Sequence, residues 1–304
     1  MTKGVLVVIV GATGVGKTAV SLTLARELDC AIVSCDSRQI YRELHIGVAS
    51  PSPEQLAQAR HYFIGTHSIE EHYSAGQFET DALEIIQQEL TVRRSVLMVG
   101  GSMLYADAVC KGIDAIPNID SMLRAELQQF YHTEGIEAVR RKLWLLDRKY
   151  YGEVDLKNAK RMLHALEVCI TTGKPFSELR TQQVKQRPFK IVKIGLNMPR
   201  EELYAGINSR VLCMMEQGLE QEARALYGKR HLNALNTVGY KELFAYFDGN
   251  ISKEQAVEKI QQNTRRYAKK QLTWLRRDTE IQWFHPQDEA SILTCLKTAL
   301  LDFD

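Results

Sequence analysis

The chain has 304 residues, enough for one large domain or two smaller ones, and its 45% hydrophobic and 25% charged content excludes a disordered or low-complexity protein. A formal net charge of +2 gives no bulk electrostatic argument for nucleic acid, so any basic surface must come from local clustering. Six cysteines without a C-x-x-C pair suit reduced thiols in a cytoplasmic protein, and the opening residues give no expectation of a signal peptide or membrane span.

In chain order, the β-branched run Val5 to Val10 empties into Gly11-Ala12-Thr13-Gly14-Val15-Gly16-Lys17-Thr18, which matches G-x-x-x-x-G-K-[ST] in full. A helical pattern over 19–27 follows, so strand, loop and helix arrive in the order a phosphate-binding loop requires. The glycines let backbone N–H groups converge on an anion, and the helix adds its positive end. Lys17 would reach outer phosphate charge, and the Thr18 hydroxyl suits Mg²⁺. The purely structural alternative is a glycine-rich turn.

A short strand over 31–35 ends at Asp36-Ser37, where α/β sheets gather ligands. Ser52-Pro53 predicts a helix through Arg60, and Ser74 one over 78–90. A third core strand over 95–99 runs into Gly100-Gly101-Ser102, followed by a helix over 103–111. The alternation predicts an α/β fold with a parallel sheet flanked by helices. From Pro117 the pattern is helical only, over 121–131, 136–146 and 159–172, before strand character returns over 189–196. This predicts a core domain of residues 1–117 and 188–304 with an all-helical insertion of residues 118–187. Helices are expected over 201–227, 252–276 and 289–303, with an edge strand over 281–284.

The phosphate loop alone leaves kinases, NTPases and other transferases open. No N-K-x-D is present to read a guanine base, and the strand over 95–99 ends in Gly-Gly-Ser rather than an acidic pair. Asp36 is then the strand-tip carboxylate nearest the loop in sequence; it can support Mg²⁺, act as a base, or cap the turn over 37–41. The helix near its basic run carries Lys253, Lys259, Arg265, Arg266, Lys269, Lys270, Arg276 and Arg277 with Tyr267 and Trp274 interleaved. That density suits a phosphate backbone; a solvated helix face is the alternative. The eight histidines show no metal-ligand spacing.

Taken together, Gly11 to Thr18, Asp36-Ser37-Arg38-Gln39-Ile40-Tyr41, Tyr73-Ser74-Ala75, Val99 to Ser102 with Leu104-Tyr105, Arg161, Ala165 to Val168, Val238-Gly239-Tyr240 and Ala268 to Gln271 with Trp274-Leu275 resemble, in order, the bacterial tRNA dimethylallyltransferases. The resemblance covers nearly the whole chain and implies a P-loop NTPase-like core with a tRNA-contacting insertion. It implies transfer of a dimethylallyl group from dimethylallyl diphosphate to N6 of an adenosine beside the anticodon of tRNA, by a cytoplasmic monomer with Mg²⁺ as cofactor and no membrane partner. Asp36 would take the N6 proton, Thr18 would support Mg²⁺ and diphosphate, and Arg210 would clamp the leaving group. The same resemblance assigns the target base to Ser37, Arg38, Gln39 and Ser102, and the anticodon stem-loop to Arg124, Lys160, Arg161, Met162, Leu163, His164, Lys269 and Lys270. Three places depart from the family pattern: Gly47-Val48-Ala49-Ser50-Pro51 stands where G-T-A-K-P is usual, Tyr62 follows His61, and His164 replaces a common arginine. A small-molecule kinase and a nucleotide-gated RNA-binding protein are the alternatives.

Overall fold

Every residue from Val5 to Gly11 is buried, and only a strand covered on both faces buries such a run. This strand, β1 (Val5–Gly11), is joined by β2 (Ile32–Ser34), β3 (His61–Tyr62), β4 (Ser95–Val99), β5 (Lys190–Leu196) and β6 (Gln282–Phe284). The sheet runs β3-β2-β4-β1-β5-β6 with every pair parallel. The structure, a computed structural model, describes residues 4–301 other than 115, 117, 118 and 182. These fall into two compact units, one from residues 1–110 with 186–304 and one from 111–185. The domain boundary expected at 117 and 118 lies outside the described residues.

In the first unit α1 (Lys17–Glu27), α2 (Pro53–Leu56), α3 (Ala75–Val92) and α4 (Met103–Lys111) alternate with the early strands. The period-two geometry of β1 divides its side chains between two cores. Leu6, Val8 and Val10 pack with Phe78, Ile86 and Tyr105 on one face; Val5, Val7 and Ile9 pack with Val20 and Leu24 on the other. Registry pairs Ile9 with Val99 and Val99 with Ser34, so the carboxyl ends of β1, β4 and β2 lie side by side. The loops that follow these three strands therefore emerge at one edge, where open α/β sheets bind ligands.

The second unit holds α5 (Ser121–Leu146), α6 (Arg148–Glu153), α7 (Ala159–Thr172) and α8 (Phe176–Leu179) around its own core of Leu127, Val139, Leu143, Met162 and Leu166. Gly135 takes φ 75° and ψ −179° inside α5, a conformation only glycine adopts readily, and so separates the two expected helices. Gly173 in the left-handed region closes α7 where the sequence predicts its end.

The chain re-enters the first unit through β5 and continues as α9 (Arg200–Glu216), α10 (Leu219–Leu226), α11 (Tyr240–Phe247), α12 (Lys253–Leu275) and α13 (Glu289–Leu301). The expected helix over 201–227 is two helices, because Gly218 at φ 103° turns the chain between them. The expected helix through Arg60 stops at Leu56, since the Arg60 carbonyl accepts from the Ile32 N–H (2.8 Å) and draws the following residues into β3. α11 has no counterpart among the expected elements. The predicted starts of α2 and α12 are present as reciprocal caps: Ser52 with Gln55, and Ser252 with Gln255. Phe303, the expected end of the last helix, lies outside the described residues. All six cysteines are free thiols, and among the described residues no helix is long and apolar enough to cross a membrane.

Phe78 is fully buried, stacked on Tyr105 at 4.5 Å and edge-on to Phe63 at 5.1 Å. Phe78→Ala is expected to lower unfolding free energy by about 3–5 kcal/mol. Urea denaturation should show a lower midpoint with an unchanged slope.

Candidate active site

The loop after β1 is shaped by Gly14 (φ 86°) and Gly16 (φ 94°), both left-handed, which bring its amides round to the start of α1. Lys17 Nζ curls back to donate to the carbonyls of Gly11 (3.0 Å) and Ala12 (2.9 Å). Burial strips water from this ammonium and, helped by the nearby Arg210 charge, lowers its pKa to about 8 against the opposing pull of Asp36. The Arg210 guanidinium is likewise lowered by burial and partly restored by Asp36. Arg210 also donates to the Thr13 hydroxyl at 2.9 Å, which fixes it across the loop. Thr18, the second residue of α1, is half-buried.

Asp36 follows β2. Its Oδ1 accepts from the backbone N–H of Arg38 (2.9 Å) and Gln39 (3.4 Å), so one oxygen caps the turn as the structural alternative expects. Among the described residues the other oxygen has no hydrogen-bond partner, and Asp36 lines a cleft. Just before it, the Cys35 thiol is fully buried, and desolvation with the adjacent Asp36 charge pushes its pKa up.

The turn after β4 passes hard against this segment. A Cβ on Gly100 would lie 2.5 Å from the Cys35 carbonyl carbon, and one on Gly101 would lie 2.6 Å from the Gln271 side-chain nitrogen, so the first glycine is set by close approach of two backbones and the second by a side chain. Ser102 Oγ then accepts from the Ser37 N–H (2.8 Å) and donates to the Ser37 hydroxyl (3.0 Å). Gln271 on α12 joins this turn to the phosphate loop: its Oε1 accepts from the Thr13 N–H and its Nε2 donates to the Gly101 carbonyl, both at 2.8 Å. At 1% exposure, Gln271 is a core residue in the middle of a basic helix.

A cleft of 570 Å³ opens beside these loops. Thr13, Asp36, Arg38, Ser102, Arg210 and Lys270 supply one side of its lining, and Val48, Val211, Met214 and Ile260 supply apolar wall. The structure thus gathers Asp36, Ser37, Arg38, Ser102, Arg210 and Lys270 at one opening. Gln39 is placed differently: its side chain accepts from Ser34 and donates to the carbonyls of Val48 (3.3 Å) and Ala49 (2.9 Å). Its amide therefore serves the wall of the cleft.

On α12, Lys253 pairs with Glu220 (2.7 Å), Arg265 bonds to Asn208 and Arg266 to Asn263. Lys259, Lys269, Lys270 and Arg276 have no ion-pair partner among the described residues. The interleaved aromatics anchor the helix: Trp274 Nε1 donates to Asp107 (2.9 Å), and the Tyr267 hydroxyl reaches the Gly101 carbonyl (3.5 Å).

Arg124 and the stretch 160–164 belong to the helical unit. Lys160, Arg161 and His164 are exposed, whereas Met162 and Leu163 are buried, because helical spacing turns their side chains into the core. Buried Glu167 holds Arg124 (3.3 Å) and His164 (3.4 Å). Gln271, Glu222 and Glu242 have structural roles here that sequence reasoning did not assign, Glu242 accepting from the Gly239 N–H and the Asn263 amide, both at 2.8 Å. Only Gln271 carried a signal, its place in the Ala268 to Gln271 run.

The IPP transferase family model matches residues 39–278. A Porphyromonas gingivalis protein (strain ATCC 33277) named tRNA dimethylallyltransferase 2 is 55% identical over 290 residues, covering 95% of this chain and 97% of that protein. A Bacteroides fragilis protein (strain YCH46) named tRNA dimethylallyltransferase 1 is 52% identical over 300 residues, covering 99% and 100%. The crystal structure of the full-length tRNA isopentenylpyrophosphate transferase from Bacillus halodurans superposes with a TM-score of 0.73 at 34% identity, covering 98% of this chain and 97% of that one. With a matching model across most of its length and relatives above half identity end to end, the chain belongs to the IPP transferase family of prenyltransferases.

Proposed function

We propose that the protein transfers a dimethylallyl group from dimethylallyl diphosphate to N6 of the adenosine 3′ to the anticodon in tRNA, releasing diphosphate. The observation that carries this reading is the shared opening: Asp36, with one carboxylate oxygen uncommitted, lines the same cleft as Arg210 and the edge of the phosphate loop at Thr13. The N6 lone pair attacks C1 of the allyl group, the C1–O bond breaks with its electrons passing to the diphosphate, and the N6 proton goes to Asp36. Arg210 and Lys17 oppose the charge that grows on the leaving group, in a setting where little water competes. General-base help of this kind is typically worth about 10²–10⁴-fold.

No group of three or more His, Cys, Asp or Glu forms a metal cluster among the described residues. In this reading the Thr18 hydroxyl, a hard-oxygen donor that suits the ion, would hold Mg²⁺, which would supply positive charge to the diphosphate. The target base leaves its stack at a cost of about a few kcal/mol to enter the cleft. Lys269 and Lys270 on α12 and Arg124, Lys160, Arg161 and His164 on the helical unit bind the stem-loop backbone. In this reading the protein acts as a monomer, in the cytoplasm where tRNA is found.

Incubation with carbon-labelled dimethylallyl diphosphate, Mg²⁺ and unmodified tRNA should place label in the RNA. Phosphorus label entering an acceptor instead would identify a kinase, and RNA retained without label would identify a binding protein. Asp36→Ala is expected to cut single-turnover transfer by about 10²–10⁴-fold, with tRNA affinity by filter binding little changed. Replacing Lys269 and Lys270 together by Ala should weaken tRNA binding and reduce its salt slope by roughly 0.7–0.9 per lost phosphate contact. Because Lys17 titrates near 8 and a bound anion favours its charged form, affinity for inorganic diphosphate should fall as pH rises through about 8. Calorimetry from pH 7 upward should show that decline, and Lys17→Met should remove it.

A further inference from the structure

Glu222 on α10 accepts from three successive backbone amides, those of His45 (2.9 Å), Ile46 (2.8 Å) and Gly47 (2.9 Å), and from the Tyr240 hydroxyl (2.7 Å). Consecutive N–H groups converging on one point make an anion-binding concavity, and here the anion is built into the chain. The loop it grips forms part of the cleft: Gly47 and Val48 line the opening. Gly47 lies so close to the Tyr240 ring that a Cβ would come within 2.7 Å of it. Ala49 is held at φ 49°, a conformation that persists in a non-glycine residue only where surroundings impose it. The carbonyls of Val48 and Ala49 receive the Gln39 amide, and the Gln39 N–H in turn donates to Asp36.

A continuous set of hydrogen bonds thus runs from Glu222 through loop 45–49 and Gln39 to the turn that carries Asp36. We infer that Glu222 is a positioning residue for the transfer reaction: it fixes the cleft wall and, through Gln39, the seat of Asp36, while touching no reacting atom. This rests on the prenyl-transfer reading of the cleft. Among the described residues neither Glu222, loop 45–49 nor Gln39 hydrogen-bonds to the phosphate loop, so affinity for inorganic diphosphate is expected to change little when Glu222 is replaced. Glutamine at 222 keeps one acceptor oxygen and places an NH₂ where the second stood, which orphans at least one of the loop amides.

The test uses the full chain with Glu222→Gln and Glu222→Ala. In both, hydrogen exchange at residues 45–49 is expected to accelerate at least tenfold, a readout that needs no activity and so stands even if wild-type protein transfers no label. Where wild-type protein does transfer label, kcat should drop tenfold or more in Glu222→Gln with inorganic diphosphate affinity within twofold of wild type. Added formate, a free carboxylate small enough to enter the vacated concavity, should restore several-fold activity to Glu222→Ala. If Glu222→Ala does not fold, Glu222→Gln decides alone. Unchanged exchange at 45–49, kcat within twofold of wild type, diphosphate affinity falling in step with turnover, or no response to formate would each overturn the assignment.

Discussion

One buried amide ties the donor side of the cleft to the acceptor side. Gln271 satisfies a backbone N–H of the phosphate loop with its oxygen and a carbonyl of the turn after β4 with its nitrogen. Removing it would leave two polar backbone groups to find new partners in a nearly dry place, at a cost of about 1–3 kcal/mol each. Those two loops leave neighbouring parallel strands, and the Ser102 turn in turn holds Ser37 beside Asp36. The stance of α12, the curvature of the phosphate loop and the placement of Asp36 are therefore facets of one hydrogen-bonded joint. The basic helix is part of the joint that shapes the cleft as well as a charged surface.

The electrostatics of the site follow from the same geometry. Two cations, Lys17 and Arg210, are held partly out of water with Asp36 as the carboxylate that both of them sense. Among the described residues neither cation is neutralised by a close ion pair: Lys17 leans on carbonyls and Arg210 on a hydroxyl. An anion of high charge entering this place recovers the hydration the cations have given up. Under the proposed reaction that anion is the diphosphate.

The sequence made the central features readable because each rests on local rules. The phosphate loop, the limits of α7 and the caps at Ser52, Ser74 and Ser252 depend on residues within a few positions of one another. Parallel pairing followed from strands alternating with helices. What escaped depends on partners far along the chain. The shortened α2 is explained by a hydrogen bond across to β2, and a pattern continuing past Gly218 hid the break between α9 and α10. Glu222 reads as an ordinary charged position on an amphipathic helix, and its three amide partners lie some 175 residues away. Met162 and Leu163 sit beside basic neighbours in the chain but turn into the core, because a helix sorts residues by face.

Cys35 adds a chemical safeguard under the proposed reaction. An allylic carbon that is losing diphosphate reacts readily with soft nucleophiles, and a thiolate next to the base would be alkylated in competition with adenine. Burial and the neighbouring carboxylate keep this sulfur protonated, and Gly100 passes so close that a Cβ there would lie 2.7 Å from it. The site can therefore carry a cysteine one residue from its base without becoming the target of its own electrophile.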